Sequence, residues 1–192
     1  MEALKEAIRR EGVAIGTQVV KVDGFLNHKI DVALSRKMGE AFYEAFKDEQ
    51  IDCIVTIEAS GIAIAMMTAQ AFGDIPVVFA KKGDHTNVGN DVYTAEVYSF
   101  THQKLNTIRI SKKHLVPGHR VLLIDDFLAN GAALLGLRKI VKDAGCIPVG
   151  AGICVEKGFQ PGGALIRGTG MKVVSLAIID AIEDGKVIMR ED

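Results

Sequence analysis

The chain has too few cysteines, wrongly spaced, for a disulfide scaffold or a zinc cluster. Its three, Cys53, Cys146 and Cys154, lie in apolar segments with no C-x-x-C pair and no histidine nearby at ligand spacing. That leaves them as small core hydrophobes in a reducing compartment. Neither sign of charge is in excess. With 23 Lys and Arg against 24 Asp and Glu, and a formal net charge of −1, composition points to no nucleic-acid partner. No apolar run approaches the roughly 20 residues that cross a bilayer. Met1 to Arg10 alternates charges without the apolar stretch of a signal peptide or anchor, so no membrane association is expected and the expected location is cytoplasmic. Low-complexity segments, repeats and linkers are missing too. The 192 residues, 48% of them apolar, therefore read as a single domain over 1–192.

What is present is a changing period. Leu4, Ala7 and Ile8 sit at helical spacing in residues 2–11, and residues 12–26 are β-rich and punctuated by glycine. Leu34, Met38, Phe42, Ala45 and Phe46 mark one face of a helix from Asp31, its expected N-cap, to Asp48. An apolar run Ile51 to Ile57, the turn E-A-S-G, an apolar helix from about Ile62 to Phe72 and a second run Pro76 to Ala80 make a βαβ unit. That implies parallel strands with a right-handed crossover. Val92 to Phe100 and Thr107 to Ser111 read as an antiparallel excursion. The parallel pattern resumes with Val121 to Ile124, a helix from about Gly131 to Asp143, and strands near Pro148 to Val155 and Lys172 to Ile179. The expected fold class is α/β, a doubly wound, mainly parallel twisted sheet flanked by helices.

Such sheets bind ligands beyond the carboxyl ends of their strands, at the topological switch point. Two loops there place small residues before a helix. In Glu58-Ala59-Ser60-Gly61 the backbone N–H groups can approach an anion, and Ser60 is placed to cap the helix that follows. In Ala129-Asn130-Gly131-Ala132-Ala133, Asn130 is the expected cap and Gly131 permits close approach. This second loop follows V-L-L-I-D-D-F-L, where Asp125 and Asp126 stand side by side. Like charges repel, and burial aggravates the repulsion unless a cation, ligand or hydrogen bonds offset it. The pair is therefore expected at the strand's end, facing something other than protein. Acids that accept from hydroxyls beside a loop that holds a phosphate suit a ribose phosphate. Gly131 to Gly136 has P-loop spacing but continues with Leu137-Arg138, and G-T-G at 168–170 lacks a third glycine, so neither supports a nucleotide triphosphatase or a dehydrogenase.

Val121 to Ala133 resembles the 5-phosphoribosyl-1-pyrophosphate (PRPP) signature of the type I phosphoribosyltransferases. V-D-G-F-L-N-H near the N-terminus and V-Y-S-F-T at 97–101 match in order, so the resemblance covers essentially the whole chain. It implies that family's fold, with a hood mainly from residues 1–30 and a flexible segment of about 83–105. It also implies transfer of the phosphoribosyl group to a purine nitrogen with release of pyrophosphate. Ala129, Asn130, Gly131, Ala132 and Ala133 would hold the 5′-phosphate, Asp125 and Asp126 the ribose hydroxyls, and Glu58, Ala59, Ser60 and Gly61 the pyrophosphate. Mg²⁺ would bridge pyrophosphate and ribose oxygens, with no side-chain ligand assigned. Lys81 and Lys82 follow a strand where the family places basic residues that reach PRPP, in the partner subunit of a homodimer. The polar stretch Gly83 to Thr94 would close over the reacting centre and keep water out.

Base recognition would fall to the hood and to Lys157, whose ammonium donates to an oxo group, with Asn27 and the main chain around Val20 along the remaining edge. A lysine donor argues against adenine, and the Asn27 amide places xanthine ahead of hypoxanthine as the expected base. One departure stands out. Many members carry a hydroxyl or carboxylate where this chain has Ala129, Ala132 and Ala133, so the phosphate must rely on backbone amides. The purine's proton then has three open routes: water, a loop residue such as Glu96, or loss before binding. The alternatives are a salvage enzyme for hypoxanthine, guanine or adenine, and a non-catalytic PRPP-sensing regulator. For the regulator, the dozen or so residues before the hood are too few for a helix-turn-helix.

Overall fold

The computed structural model describes residues 1–83, 91–99 and 104–191. Helix α1 (Glu2–Glu11) buries Leu4, Ala7 and Ile8, the stripe expected from their spacing. Strands β1 (Val13–Ile15) and β2 (Val19–Lys21) pair as a short antiparallel hairpin. The β-rich reading stops there. Residues Asp23–Asn27 form a π-helical turn, because Phe25 and Leu26 are both buried and adjacent residues of a strand cannot face one core together. Helix α2 (Val32–Phe46) starts as expected, with the Asp31 carboxylate accepting from Leu34 N at 3.0 Å.

Strand β3 (Cys53–Ile57), helix α3 (Gly61–Ala71) and strand β4 (Val77–Lys82) form the first parallel unit. The excursion follows as β5 (Val92–Ser99) and β6 (Lys104–Ser111), antiparallel to each other, with β6 antiparallel to β4. Residues 84–90 and 100–103 of the segment expected to close over the site lie outside the described residues. The second parallel series is β7 (Arg120–Leu128), α4 (Ala132–Asp143), β8 (Ile147–Lys157), a short α5 (Gly162–Gly168) and β9 (Lys172–Glu183). Strand β10 (Lys186–Met189) closes it by pairing antiparallel to β9.

The large sheet runs β10-β9-β8-β7-β3-β4-β6-β5. From β3 the chain winds outward through β4, and from β7 it winds the other way through β8 and β9. Strands β3 and β7 are neighbours, so the switch point falls between them and the loops at residues 58–61 and 129–131 emerge side by side. Two hydrophobic clusters cover the two faces. One joins α1, α2 and α3 to the sheet, and the other joins α4 to β5 and β6. Close approach is built in: a Cβ on Gly39 of α2 would lie 2.5 Å from the Met67 carbonyl of α3, so only glycine lets these helices touch. Cys53, Cys146 and Cys154 are free and buried, and burial pushes all three thiols up, Cys53 to about 12. They are inert core residues, as expected.

Candidate active site

The acid pair does not sit past the end of a strand. Strand β7 continues to Leu128, with Asp125 in register with Ile153 and Phe127 with Val155 of β8. Asp125 is only 5% exposed. Its Oδ1 accepts from Asp126 N at 3.0 Å. Burial first, and then the charge of Asp126 and a hydrogen bond between the two side chains, push the Asp125 carboxyl well above its ordinary range; the Asp126 amide and the charge of Lys82 pull the other way. Burial and the neighbouring acid thus both favour the neutral form of Asp125. Asp126, half-buried, is the member nearer solvent.

The loop after β3 packs directly on this pair. A Cβ on Gly61 would fall 2.2 Å from Thr56 Oγ1 and 3.3 Å from Asp125 Oδ1, so the helix can begin this close to the acids only with glycine there. The Thr56 hydroxyl is fully buried and has no hydrogen-bond partner among the described residues. Glu58 ties the loop to β4, its Oε1 accepting from Lys82 N at 2.6 Å. The Glu58–Ala59 peptide is cis. Ser60 occupies the N-cap position of α3, but its side chain makes no capping hydrogen bond, contrary to expectation. The first-turn N–H groups of α3 therefore have no side-chain acceptor at Ser60, and the Ile62 N–H donates to the Ala59 carbonyl at 3.2 Å.

The second loop is shaped by Gly131, whose φ of +86° is the left-handed region that glycine adopts without cost. Asn130 Oδ1 accepts from Ala132 N at 3.1 Å, the expected cap. Helix α5 supports the loop from behind, Gly162 N donating to the Ala129 carbonyl at 3.0 Å.

A cleft of about 980 Å³ is lined by Ala129, Asn130, Ala132 and Ala133, by Lys82 at the end of β4, and by Lys157 at the end of β8; Asp125, Asp126 and Glu58 to Gly61 are not among the described residues that line it. Lys81 is not there. Strand side chains alternate between faces, and Lys81 lines a separate basic hollow with Arg109, Lys113 and His114. Lys157 reaches up to the hood, its Nζ donating to the Gln18 carbonyl at 2.8 Å and lying 5.9 Å from the Phe127 ring centroid. Burial lowers its pKa. Val20 is the buried residue of hairpin strand β2, and Asn27 ends the π-helical turn as an exposed residue. Neither is among the described residues that line the cleft, where the hood contributes Gln18 and Val19 instead. Gln18 and Gln160 escaped sequence reasoning: Gln160 Nε2 donates to Gln18 Oε1 at 3.2 Å, joining residues 142 apart in sequence. For Gln160 the available signal was its position in the turn just after Lys157. Among the described residues no group of three or more His, Cys, Asp or Glu is arranged to hold a metal ion.

The cleft brings the start of α4 together with the ammonium groups of Lys82 and Lys157, while the acid pair and the start of α3 pack against each other beside β7. The family model described as "Phosphoribosyl transferase domain" matches residues 27–178. A xanthine phosphoribosyltransferase of Clostridioides difficile (strain 630) is 49% identical over 190 residues, covering 99% of this chain and 100% of that relative. Another, from Laribacter hongkongensis (strain HLHK9), is 52% identical over 187 residues, covering 97% and 98%. Among solved structures, an adenine phosphoribosyltransferase from Rhodothermus marinus DSM 4252 superposes with a TM-score of 0.74 at 22% identity, over 93% of this chain and 100% of that one. The Giardia lamblia enzyme complexed with 9-deazaadenine gives 0.69 at 25% identity, over 83% and 85%.

Proposed function

The chain belongs to the phosphoribosyl transferase domain family, and from that premise we propose that it transfers the 5-phosphoribosyl group of PRPP to xanthine. The products are xanthosine 5′-monophosphate and pyrophosphate, a purine salvage step. The observation that carries the substrate is Lys157, a lysine donor on the same cleft as Ala129, Asn130, Ala132 and Ala133. An adenine site must instead accept from an amino group. The relatives that match nearly the whole chain at about half identity carry the same name for their substrate.

In this reading the backbone N–H groups of Ala129 to Ala133 hold the 5′-phosphate, and Asp126 with Asp125 takes the ribose hydroxyls. The start of α3 at Glu58–Gly61 receives the pyrophosphate, helped by the ammonium of Lys82. As the bond from C1 of the ribose to pyrophosphate lengthens, positive charge develops on the ring, and the carboxylate of Asp126 would stabilise that charge. Lys157 fixes the base by donating to an oxo group while its remaining protons keep the Gln18 carbonyl of the hood.

The donor set fits magnesium bound mainly through the substrate: a hard carboxylate is present at Asp126, but among the described residues no protein cluster supplies a full shell. When bound, the ion neutralises charge on the leaving pyrophosphate. A homodimer fits the face to which Lys81 points. Phe79, 39% exposed, lines the basic hollow there, which suits a second copy whose substrate Lys81 would reach.

The test is pyrophosphate release from PRPP with a panel of purines, together with the mass in solution by light scattering. Xanthine should rank first by kcat/KM and the mass should be that of a dimer. Preference for adenine removes the base assignment, and PRPP binding without turnover of any purine indicates a PRPP-sensing regulator.

A further inference from the structure

The buried acid beside Lys157 has no part in the reaction just described. Glu156 is 4% exposed. It takes both arms of the Arg167 guanidinium at 2.8 Å and the hydroxyl of Ser175 from β9. Burial works against its ionisation, yet the donations from Arg167 and Ser175 outweigh burial and hold the carboxyl below its usual range. A bidentate, fully donated carboxylate is a geometrically fixed point. Arg167 stands in the last turn of α5, so this point clamps α5 to the end of β8. With seven residues, α5 is too short to hold its shape unaided.

The first turn of α5 touches the phosphate loop. Beyond the hydrogen bond from Gly162 N to the Ala129 carbonyl, a Cβ on Gly162 would fall 2.3 Å from that carbonyl oxygen and 2.7 Å from Gly131 N. A Cβ on Gly163 would fall 2.0 Å from Glu156 Oε1. The two glycines are wedged between loop and acid, with no room for a side chain on either.

The geometry points to Glu156 and Arg167 as positioning residues for the 5′-phosphate loop, acting through Gly162 and Gly163. This rests on the reading of Ala129–Ala133 as the 5′-phosphate site. Releasing Arg167 frees α5, the Ala129 carbonyl loses its fixed donor, and the loop N–H groups no longer converge. The pyrophosphate loop is outside this chain of contacts, because Glu58 anchors it to β4.

The experiment is calorimetric titration of ribose 5-phosphate and, separately, of pyrophosphate, in magnesium buffer. The proteins are wild type, Arg167→Met, Arg167→Lys and Ser175→Ala. Arg167→Met should lose about tenfold or more in ribose 5-phosphate affinity and stay within about twofold of wild type for pyrophosphate. Arg167→Lys, which keeps the charge, should recover part of the loss, and Ser175→Ala should show a smaller loss for the same ligand alone. In turnover, KM for PRPP should rise by a larger factor than kcat falls. Equal losses for both ligands, or wild-type ribose 5-phosphate binding by Arg167→Met, overturn the inference. Should Arg167→Met not fold, the same comparison in the two milder variants decides it. A wild-type protein that binds pyrophosphate but not ribose 5-phosphate would overturn the phosphate-loop reading instead.

Discussion

Substituting Gly131 by alanine separates what the proposed phosphate loop does from what it merely tolerates. At φ of +86° an alanine pays the left-handed penalty, roughly 1–2 kcal/mol. The added Cβ also meets Gly162 Cα at 3.2 Å, which is tight enough that the loop or α5 must give by a few tenths of an ångström. Strain alone should lower Tm by about 2–8 °C for a chain of this size. Gly118 supplies the control. It has φ of +87°, nothing within 4 Å of its would-be Cβ, and lies at the opposite end of β7 from the acids. Gly118→Ala should therefore cost similar stability and leave PRPP binding intact. Gly131→Ala should in addition weaken PRPP about tenfold or more, since even 1.4 kcal/mol of misdirected amide contact is a factor of ten. Calorimetric titration of PRPP into both variants, with thermal melts alongside, gives the comparison. If the two bind PRPP equally well, the loop amides do not hold the phosphate.

Asp126→Asn should lower kcat/KM for PRPP by the worth of a charged hydrogen bond, roughly 1.5–3 kcal/mol, with the melt unchanged; wild-type kinetics would remove the ribose assignment. Asp125→Asn should lose turnover yet gain stability. Because the folded protein holds this proton above the ordinary value of 3.8, the unfolded chain releases it first as pH rises. Wild-type stability then falls through the window from that value up to the raised folded one, while the non-titrating amide does not follow. The Tm advantage of Asp125→Asn should grow from acid toward neutral pH; a gap independent of pH would contradict the buried-proton account. Lys157→Ala should cut kcat/KM for xanthine and hypoxanthine together, again by roughly 1.5–3 kcal/mol, and unaltered xanthine use would detach Lys157 from the base.

Local pattern was enough wherever an element's own residues decide it. The α2 stripe and its Asp31 cap, the βαβ unit, the antiparallel excursion and the cap at Asn130 all follow from spacing and from side-chain chemistry within a few residues. The order of the motifs was enough to point to the family. Helix α5 and strand β10 are too short to leave a period. Strand β7 was expected to stop at Ile124, because two acids look like an end; its true end is set by the partner strand β8, whose backbone pairs with it past Asp125 and Asp126. Pairing also separates Lys81 from Lys82, since the pleat sends neighbouring side chains to opposite faces. The contact of Lys157 with Gln18 spans 139 residues, and Glu156 meets Arg167 and Ser175 across a helix and a strand. Such contacts depend on where whole elements come to rest against one another. Sequence alone therefore determined which residues are candidates for the chemistry, and tertiary packing decided which of them share a cleft, which acid is buried, and what ties the Ala129–Ala133 loop to its neighbours.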